Sequence, residues 1–108
     1  MIIAIPSDNK EHVSETFGRC KCFVLYNTET KEINIVDNFA NMSLGSGAGM
    51  QTATNLIKNK IDVIITYDLG PKANRVLAET DIKVIQIDKI DKINNLVDEY
   101  LKNQKQTI

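Results

Sequence analysis

Residues 61–73 read Ile61-Asp62-Val63-Ile64-Ile65-Thr66-Tyr67-Asp68-Leu69-Gly70-Pro71-Lys72-Ala73, and this stretch decides the fold. The β-branched run is too short for a helix and is apolar on both sides, which predicts a strand over Asp62–Thr66 buried on both faces. Gly70-Pro71 then opens a helix, because proline fits the first helical position, where its missing N–H is not needed. Ala73, Val76 and Leu77 form that helix's apolar stripe. A further strand, Ile82 to Ile87, follows. A strand, a helix and a second strand in one sheet require parallel strands joined by a crossover.

The elements on either side extend this unit. Ala48 to Lys60 is predicted helical, with Met50, Ala53, Leu56 and Ile57 recurring at spacings of three and four. Ile93, Leu96, Val97, Tyr100 and Leu101 predict a terminal helix, and the polar Lys102–Thr107 tail is expected to fray. Near the start, residues 2–6 form an apolar strand stopped by Pro6, and a polar loop runs from Ser7 to Gly18. Cys22–Asn27 and Glu32–Val36 are strands joined by the turn Asn27-Thr28-Glu29-Thr30, hence an antiparallel hairpin. The order β-β-β-α-β-α-β-α predicts an α/β fold: a mixed five-stranded sheet with helices on both faces. The 108 residues are expected to form a single domain.

A net charge of −1 supplies no field that would draw nucleic acid or anionic lipid. No apolar run reaches membrane-spanning length, and the first residues are too short an apolar segment for a signal peptide, so the cytoplasm is the expected compartment. On an extended chain Cys20 and Cys22 would hold their β-carbons about 7 Å apart. A disulfide needs about 3.5–4.5 Å, so none is expected between them.

Three groups of residues carry candidate chemistry. Cys20, Cys22 and His12, the one histidine, are possible soft-metal ligands. They are at most three, short of a closed four-ligand zinc site, and a cysteine pair at strand spacing is also what a small buried core residue looks like. The run Ser43-Leu44-Gly45-Ser46-Gly47-Ala48-Gly49-Met50-Gln51 is either a flexible helix cap or an anion cradle. It lacks the Lys-Ser/Thr of a P-loop, and Met50 holds the third glycine position of the dinucleotide fingerprint. Gly70-Pro71 offers a second helix start, with Lys72 and Arg75 as nearby positive charge. Asp8, Asp37, Asp62 and Asp68 lie near strand ends, where a magnesium site and ordinary turn caps are alternative readings.

In order, Ile-Ala-Ile-Pro-Ser (3–7), Ser14-Glu15-x-Phe17-Gly18-Arg19-Cys20-x-x-Phe23, the glycine run ending Gly49-x-Gln51-x-Ala53, Asp62–Ile65 leading to Gly70-Pro71-x-Ala73, and Ile82-Lys83-Val84 resemble the dinitrogenase iron–molybdenum cofactor biosynthesis family. The likeness covers nearly the whole chain. It implies a ribonuclease H-like three-layer α/β/α fold whose second strand is antiparallel. It also implies a non-enzymatic accessory or carrier protein for an iron–sulfur or iron–molybdenum-type cluster or its precursor, with metallocluster donor or acceptor proteins as partners. The implied cradle is Thr16, Phe17, Gly18 and Arg19 with Gly45, Gly47, Gly49, Gly70 and Pro71; Cys20, Cys22 and His12 would supply metal ligands. One departure stands out. Members often have His-Phe-Gly where this chain has Thr16-Phe17-Gly18, and threonine cannot replace imidazole as a soft-metal ligand. Position 22 is usually aromatic in the family, so Cys22 is either a compensating thiolate or core. The rival expectation is a regulatory or interaction domain of the same fold that has lost cluster binding. A magnesium-dependent hydrolase is suggested by fold analogy alone.

Overall fold

The computed structural model describes residues 1–38 and 47–106, with side chains through Asn103. Its elements are β1 (Ile2–Ser7), β2 (Cys22–Asn27), β3 (Ile33–Asp37), α1 (Ala48–Lys58), β4 (Val63–Thr66), α2 (Pro71–Ala78), β5 (Lys83–Gln86) and α3 (Ile93–Gln106). The strands form one mixed sheet in the order β3-β2-β1-β4-β5. β2 runs antiparallel to β1 and β3, whereas β4 is parallel to β1 and β5. The hairpin and the two crossovers expected from the sequence are all present.

Residues alternate across the sheet, and each face has its own core. Ala4, Phe23, Leu25 and Ile64 pack with Ala53 and Leu56 of α1 and with Ala73 and Leu77 of α2. On the other face, Ile3, Ile5, Val24, Val63 and Ile65 meet Ile93, Leu96, Val97 and Tyr100 of α3. Helices therefore cover both faces, and β1 and β4, hydrophobic on both sides, run through the middle.

The hairpin turn is built by Asn27. Its Oδ1 accepts the N–H groups of Glu29 (2.9 Å) and Thr30 (3.2 Å), and Lys31 follows in the left-handed region with φ 64°. Lys31 N also donates to Asn27 O (2.8 Å), so residues 28–31 form a four-residue hairpin loop closed by a left-handed residue.

Three expectations shift. Met50 is 45% exposed, and Thr52 takes its place on the buried stripe of α1 with Ala48, Ala53 and Leu56. α1 ends at Lys58 rather than Lys60, because Lys60 enters the left-handed region (φ 55°) and its N–H turns back to Ile57 O (3.2 Å). α3 continues to Gln106, through most of the segment expected to fray; no glycine or proline interrupts residues 93–106.

The register places Ser7 opposite Cys22, and Cys22 opposite Asp37. The ends of β1, β3 and β4, the start of β2, and the first turns of α1 and α2 thus meet at one end of the sheet. The candidate site lies there.

Candidate functional site

The loop after β1 is folded by its own side chains. Ser7 is fully buried; its Oγ donates to His12 O (2.6 Å) and accepts from Lys10 N (2.8 Å). Asp8 ties the two ends of the loop together: Oδ1 accepts Lys21 N (3.0 Å), and Oδ2 accepts Ser14 Oγ (2.9 Å). Ser14 Oγ in turn accepts Thr16 N (3.1 Å). These bonds bring the chain to Phe17, which is buried and meets Phe23 edge to face, with ring centroids 5.4 Å apart. Burying a phenylalanine side chain contributes about 1.5–3 kcal/mol, so Phe17 anchors the segment.

Gly18 comes next, pressed against the first turn of α1. A β-carbon there would lie 2.6 Å from Gly49 N, 2.7 Å from Gly49 Cα and 3.0 Å from Ala48 C. Only glycine permits this approach of two backbones. Two buried polar residues hold it in place. Asn38 Nδ2 donates to Gly18 O (3.1 Å) and Cys20 O (2.9 Å), and Thr52 Oγ1 donates to Gly18 O (3.3 Å) and to Asn38 Oδ1 (3.2 Å). Asn38 and Thr52 are 4% and 1% exposed, and no buried side-chain nitrogen or oxygen among the described residues lacks a partner.

The result is a cleft of about 370 Å³ lined by Thr16, Phe17, Gly18, Arg19, Gly47, Ala48, Gly49, Asp68 and Gly70. Two helix N-termini border it. α1 starts from Gly47 (φ 89°) and α2 from Gly70; neither cap residue makes a side-chain bond, and neither first turn carries an acid. The first N–H groups of a helix have no intrahelical partner and bear partial positive charge. Such an arrangement is electrostatically suited to an anion, and Arg19, also in the lining, carries a full positive charge. The carboxylate of Asp68 opposes it. Thr66 Oγ1 donates to Asp68 O (2.8 Å) and so fixes the turn that carries Asp68.

The structure thus brings together Thr16, Phe17, Gly18 and Arg19 with Gly47, Gly49 and Gly70. Pro71 occupies the first position of α2 without lining the cleft, and Gly45 lies outside the described residues. Lys72 and Arg75 are exposed on α2 and also do not line it.

The three proposed metal ligands sit elsewhere. Cys20 is fully buried, and its Sγ donates to Phe17 O (3.2 Å). Burial, then the charge of Asp8 and the neighbouring Cys22, push this thiol up to about 12. Cys22 is buried and donates to Ser7 O (3.4 Å); burial is also the main cause of its raised pKa, with Lys10 acting the other way. His12 is drawn toward α3. Its backbone bridges to Lys92, the adjacent Val13 N donates to Asp91 O (3.1 Å), and its Nδ1 lies 3.3 Å from Asn9 Nδ2. Among the described residues no three of His, Cys, Asp and Glu gather as a metal site. That includes the strand-end aspartates: Asp62 accepts Ile2 N (2.7 Å), at the β1 terminus opposite Ser7.

Sequence reasoning missed Asn38 and Thr52, and it placed Ser14 in the family segment without a structural role. Thr52 carried a faint signal, as a hydroxyl one position from Ala53 on the apolar stripe; Asn38 carried none, since asparagine after a strand reads as a turn.

The sequence model described as dinitrogenase iron-molybdenum cofactor matches residues 1–103. The chain belongs to this family. An uncharacterized protein of Methanocaldococcus jannaschii is 34% identical over 87 residues, covering 78% of this chain and 72% of its own. The apo form of the orange protein from Desulfovibrio gigas superposes with a TM-score of 0.89 at 32% identity, covering 95% of this chain and 88% of that one. A putative NifB protein from Thermotoga shares the fold, with a TM-score of 0.78 at 23% identity over 94% of this chain and 87% of its own. No helix among the described residues is long and apolar enough to cross a membrane.

Proposed function

We propose that this chain is a single-domain, cytoplasmic, non-enzymatic accessory or carrier protein. Its cargo would be an iron–sulfur or iron–molybdenum-type metallocluster, or a precursor, taken from a donor protein and passed to an acceptor during cofactor assembly. One observation carries the reading: in a member of the dinitrogenase iron-molybdenum cofactor family, the Thr16–Arg19 segment, Gly47–Gly49 and Gly70 surround one cleft. A relative known in an apo form supports a ligand as well. The sheet order, with β2 antiparallel, supports the ribonuclease H-like classification.

The donor set favours one mode of binding. Backbone N–H groups, the Thr16 hydroxyl and the Arg19 guanidinium suit the anionic outer face of a sulfide-bearing cluster. Among the described residues the cleft lining contains no cysteine or histidine, so it offers no soft-metal ligand, and the Asp68 carboxylate is its one charged group able to bond a metal. Ligation by Cys20 and Cys22 would require the Phe17–Cys22 segment to open and both thiols to lose their protons, and His12 would have to leave α3.

The test is anaerobic incubation with iron(II) and sulfide, with and without molybdate, followed by desalting, metal analysis and absorption spectroscopy. About one cluster per chain is expected, retained in a Cys20→Ser/Cys22→Ser variant and lost when Gly70→Val, whose side chain meets no protein atom within 4 Å at its β-carbon, narrows the cleft. Metal-free wild-type protein would refute cluster binding. That result would favour the second reading, an interaction domain that has lost its cluster site, which the buried thiols and Thr16 already support.

A further inference from the structure

The two faces of the sheet are covered unequally. α1 and α2 share one face, whereas α3 alone packs on the other. A helix is about 10–12 Å across and strands lie about 4.8 Å apart, so one helix covers about two strands. α3 seals Ile3 and Ile5 of β1 and Val63 and Ile65 of β4, while Ile85 of β5 and Ile87 just beyond it stay half-buried. Beside α3, over the outermost strand, this leaves a groove of about 230 Å³ whose apolar walls are Ile65, Ile85, Ile87, Leu96 and the Tyr100 ring.

An ammonium, a carboxylate and a primary amide complete the lining: Lys83, Glu99 and Asn103. Glu99 and Asn103 are one turn apart on the same side of α3. Lys83 enters from the start of β5, and its Nζ stands 5.7 Å from the centroid of the Tyr100 ring, which holds the ammonium at the groove. All three side chains are exposed, and among the described residues none is engaged in a side-chain hydrogen bond or ion pair. We propose that this groove binds a free apolar α-amino acid of about the size of leucine. The side chain lies against Ile85, Leu96 and the Tyr100 ring; the carboxylate meets Lys83 and the Asn103 amide, and the ammonium meets Glu99. Charge selects the zwitterion, because an apolar anion would face the Glu99 carboxylate and an apolar cation would face Lys83. Size agrees, since 230 Å³ equals the volume of about eight water molecules and leucine has roughly nine non-hydrogen atoms. β5 is only four residues long and opens with lysine, which blunts it as an edge for an added strand and favours a small ligand over a peptide.

The test is titration of the metal-free full chain with leucine, followed by amide chemical shifts in NMR, so the result stands whether or not the cleft carries a cluster. Saturable shifts are expected at Ile85, Leu96 and Tyr100. Leucine should bind at least tenfold more tightly than 4-methylpentanoate, which keeps only the negative charge, or leucinamide, which keeps only the positive one. Lys83→Gln and Glu99→Gln should each weaken leucine binding at least tenfold; both positions are exposed, so folding is not at stake. Lys72→Gln, on the exposed side of α2, should leave it unchanged. Absence of saturable shifts up to tens of millimolar leucine would overturn the proposal, as would affinity indifferent to both glutamine substitutions. Equal binding of 4-methylpentanoate would reduce the groove to an apolar contact, and equal binding of N-acetylleucinamide would assign it to a side chain of a peptide; either result refutes a site for the free amino acid.

Discussion

Replacing Gly18 with alanine should do more damage than any other single methyl group added to a glycine among the described residues. The new β-carbon would stand 2.6 Å from Gly49 N, where ordinary contact begins near 3.4 Å, so the segment and α1 must separate by about 0.8 Å. Both contacting groups are backbone, and neither can swing aside. Overpacking of this kind costs about 1–3 kcal/mol. The same movement pulls Gly18 O away from Asn38 and Thr52, whose buried polar atoms then lose partners at about 1–3 kcal/mol. We expect a total loss of about 2–4 kcal/mol, a drop in Tm on the order of 10–20 °C for a domain of this size. Urea denaturation followed by circular dichroism measures it, with an unchanged m-value showing that stability rather than compactness moved. Gly47→Ala and Gly70→Ala are the internal standards. A β-carbon at either meets nothing within 4 Å. Gly47 sits at φ 89°, so alanine there should cost roughly 1–2 kcal/mol from backbone strain alone. Gly70, at φ −66° and ψ 159°, should tolerate alanine within about 0.5 kcal/mol. If Gly18→Ala is as mild as Gly70→Ala, the close approach of the two backbones is not what holds the cleft together.

Other consequences follow from the same contacts. Asn38→Ala should cost about 1–3 kcal/mol in the same denaturation assay, because Gly18 O and Cys20 O lose a buried donor. Cys20 should resist alkylation in the native state and react only on unfolding, which mass spectrometry after iodoacetamide treatment reads directly. Its folded pKa lies above its unfolded one, so the native state holds the proton more tightly. That contribution is fully present below pH 9 and is lost as pH rises from about 9 toward about 12. Over this range wild type should lose up to about 1.4 kcal/mol per pH unit more than Cys20→Ala; parallel stability curves would contradict the assignment. Thr16→His should leave stability within about 0.5 kcal/mol, since Thr16 is exposed and its hydroxyl makes only a long 3.4 Å contact with Ser14 Oγ, while the shorter bond to Ser14 comes from its N–H.

The sheet was legible in the sequence because its central strands announce themselves. Ile2–Pro6 and Val63–Ile65 are apolar on both faces, and β-branched residues on a doubly covered strand leave few other readings. The hairpin was legible through Asn27, whose side chain directs the turn. Helix limits were less secure. The end of α1 depends on Lys60 adopting a left-handed conformation with no glycine to advertise it, and α3 lacks any stop signal before Gln106. The glycines of the cleft could be named in advance, because close approach and helix starts select that residue. What could not be read was which polar side chains turn inward. Asn38 and Thr52 are separated by fourteen positions, and only the folded chain shows that both reach Gly18 O.

That separation bears on the question raised by Thr16 and the two cysteines. The frame of the cleft consists of Phe17, Gly18, Asn38, Thr52 and the first turn of α1, and all of it is buried or backbone. Position 16 stands outside this frame: its side chain is exposed, and of its two bonds to Ser14 Oγ the shorter comes from its N–H (3.1 Å) and the hydroxyl adds only one of 3.4 Å. A change of ligand chemistry there leaves the cleft's shape intact, so the loss of a histidine says nothing about the loss of a binding site. Cys20 is the opposite case. Its Sγ bonds to Phe17 O and its carbonyl accepts from Asn38, which makes it part of the frame. Drawing its thiolate out to a metal would undo the segment that forms the cleft wall. The cysteines are therefore poor substitutes for the missing imidazole, and a cargo held by this chain would be held through N–H groups and charge.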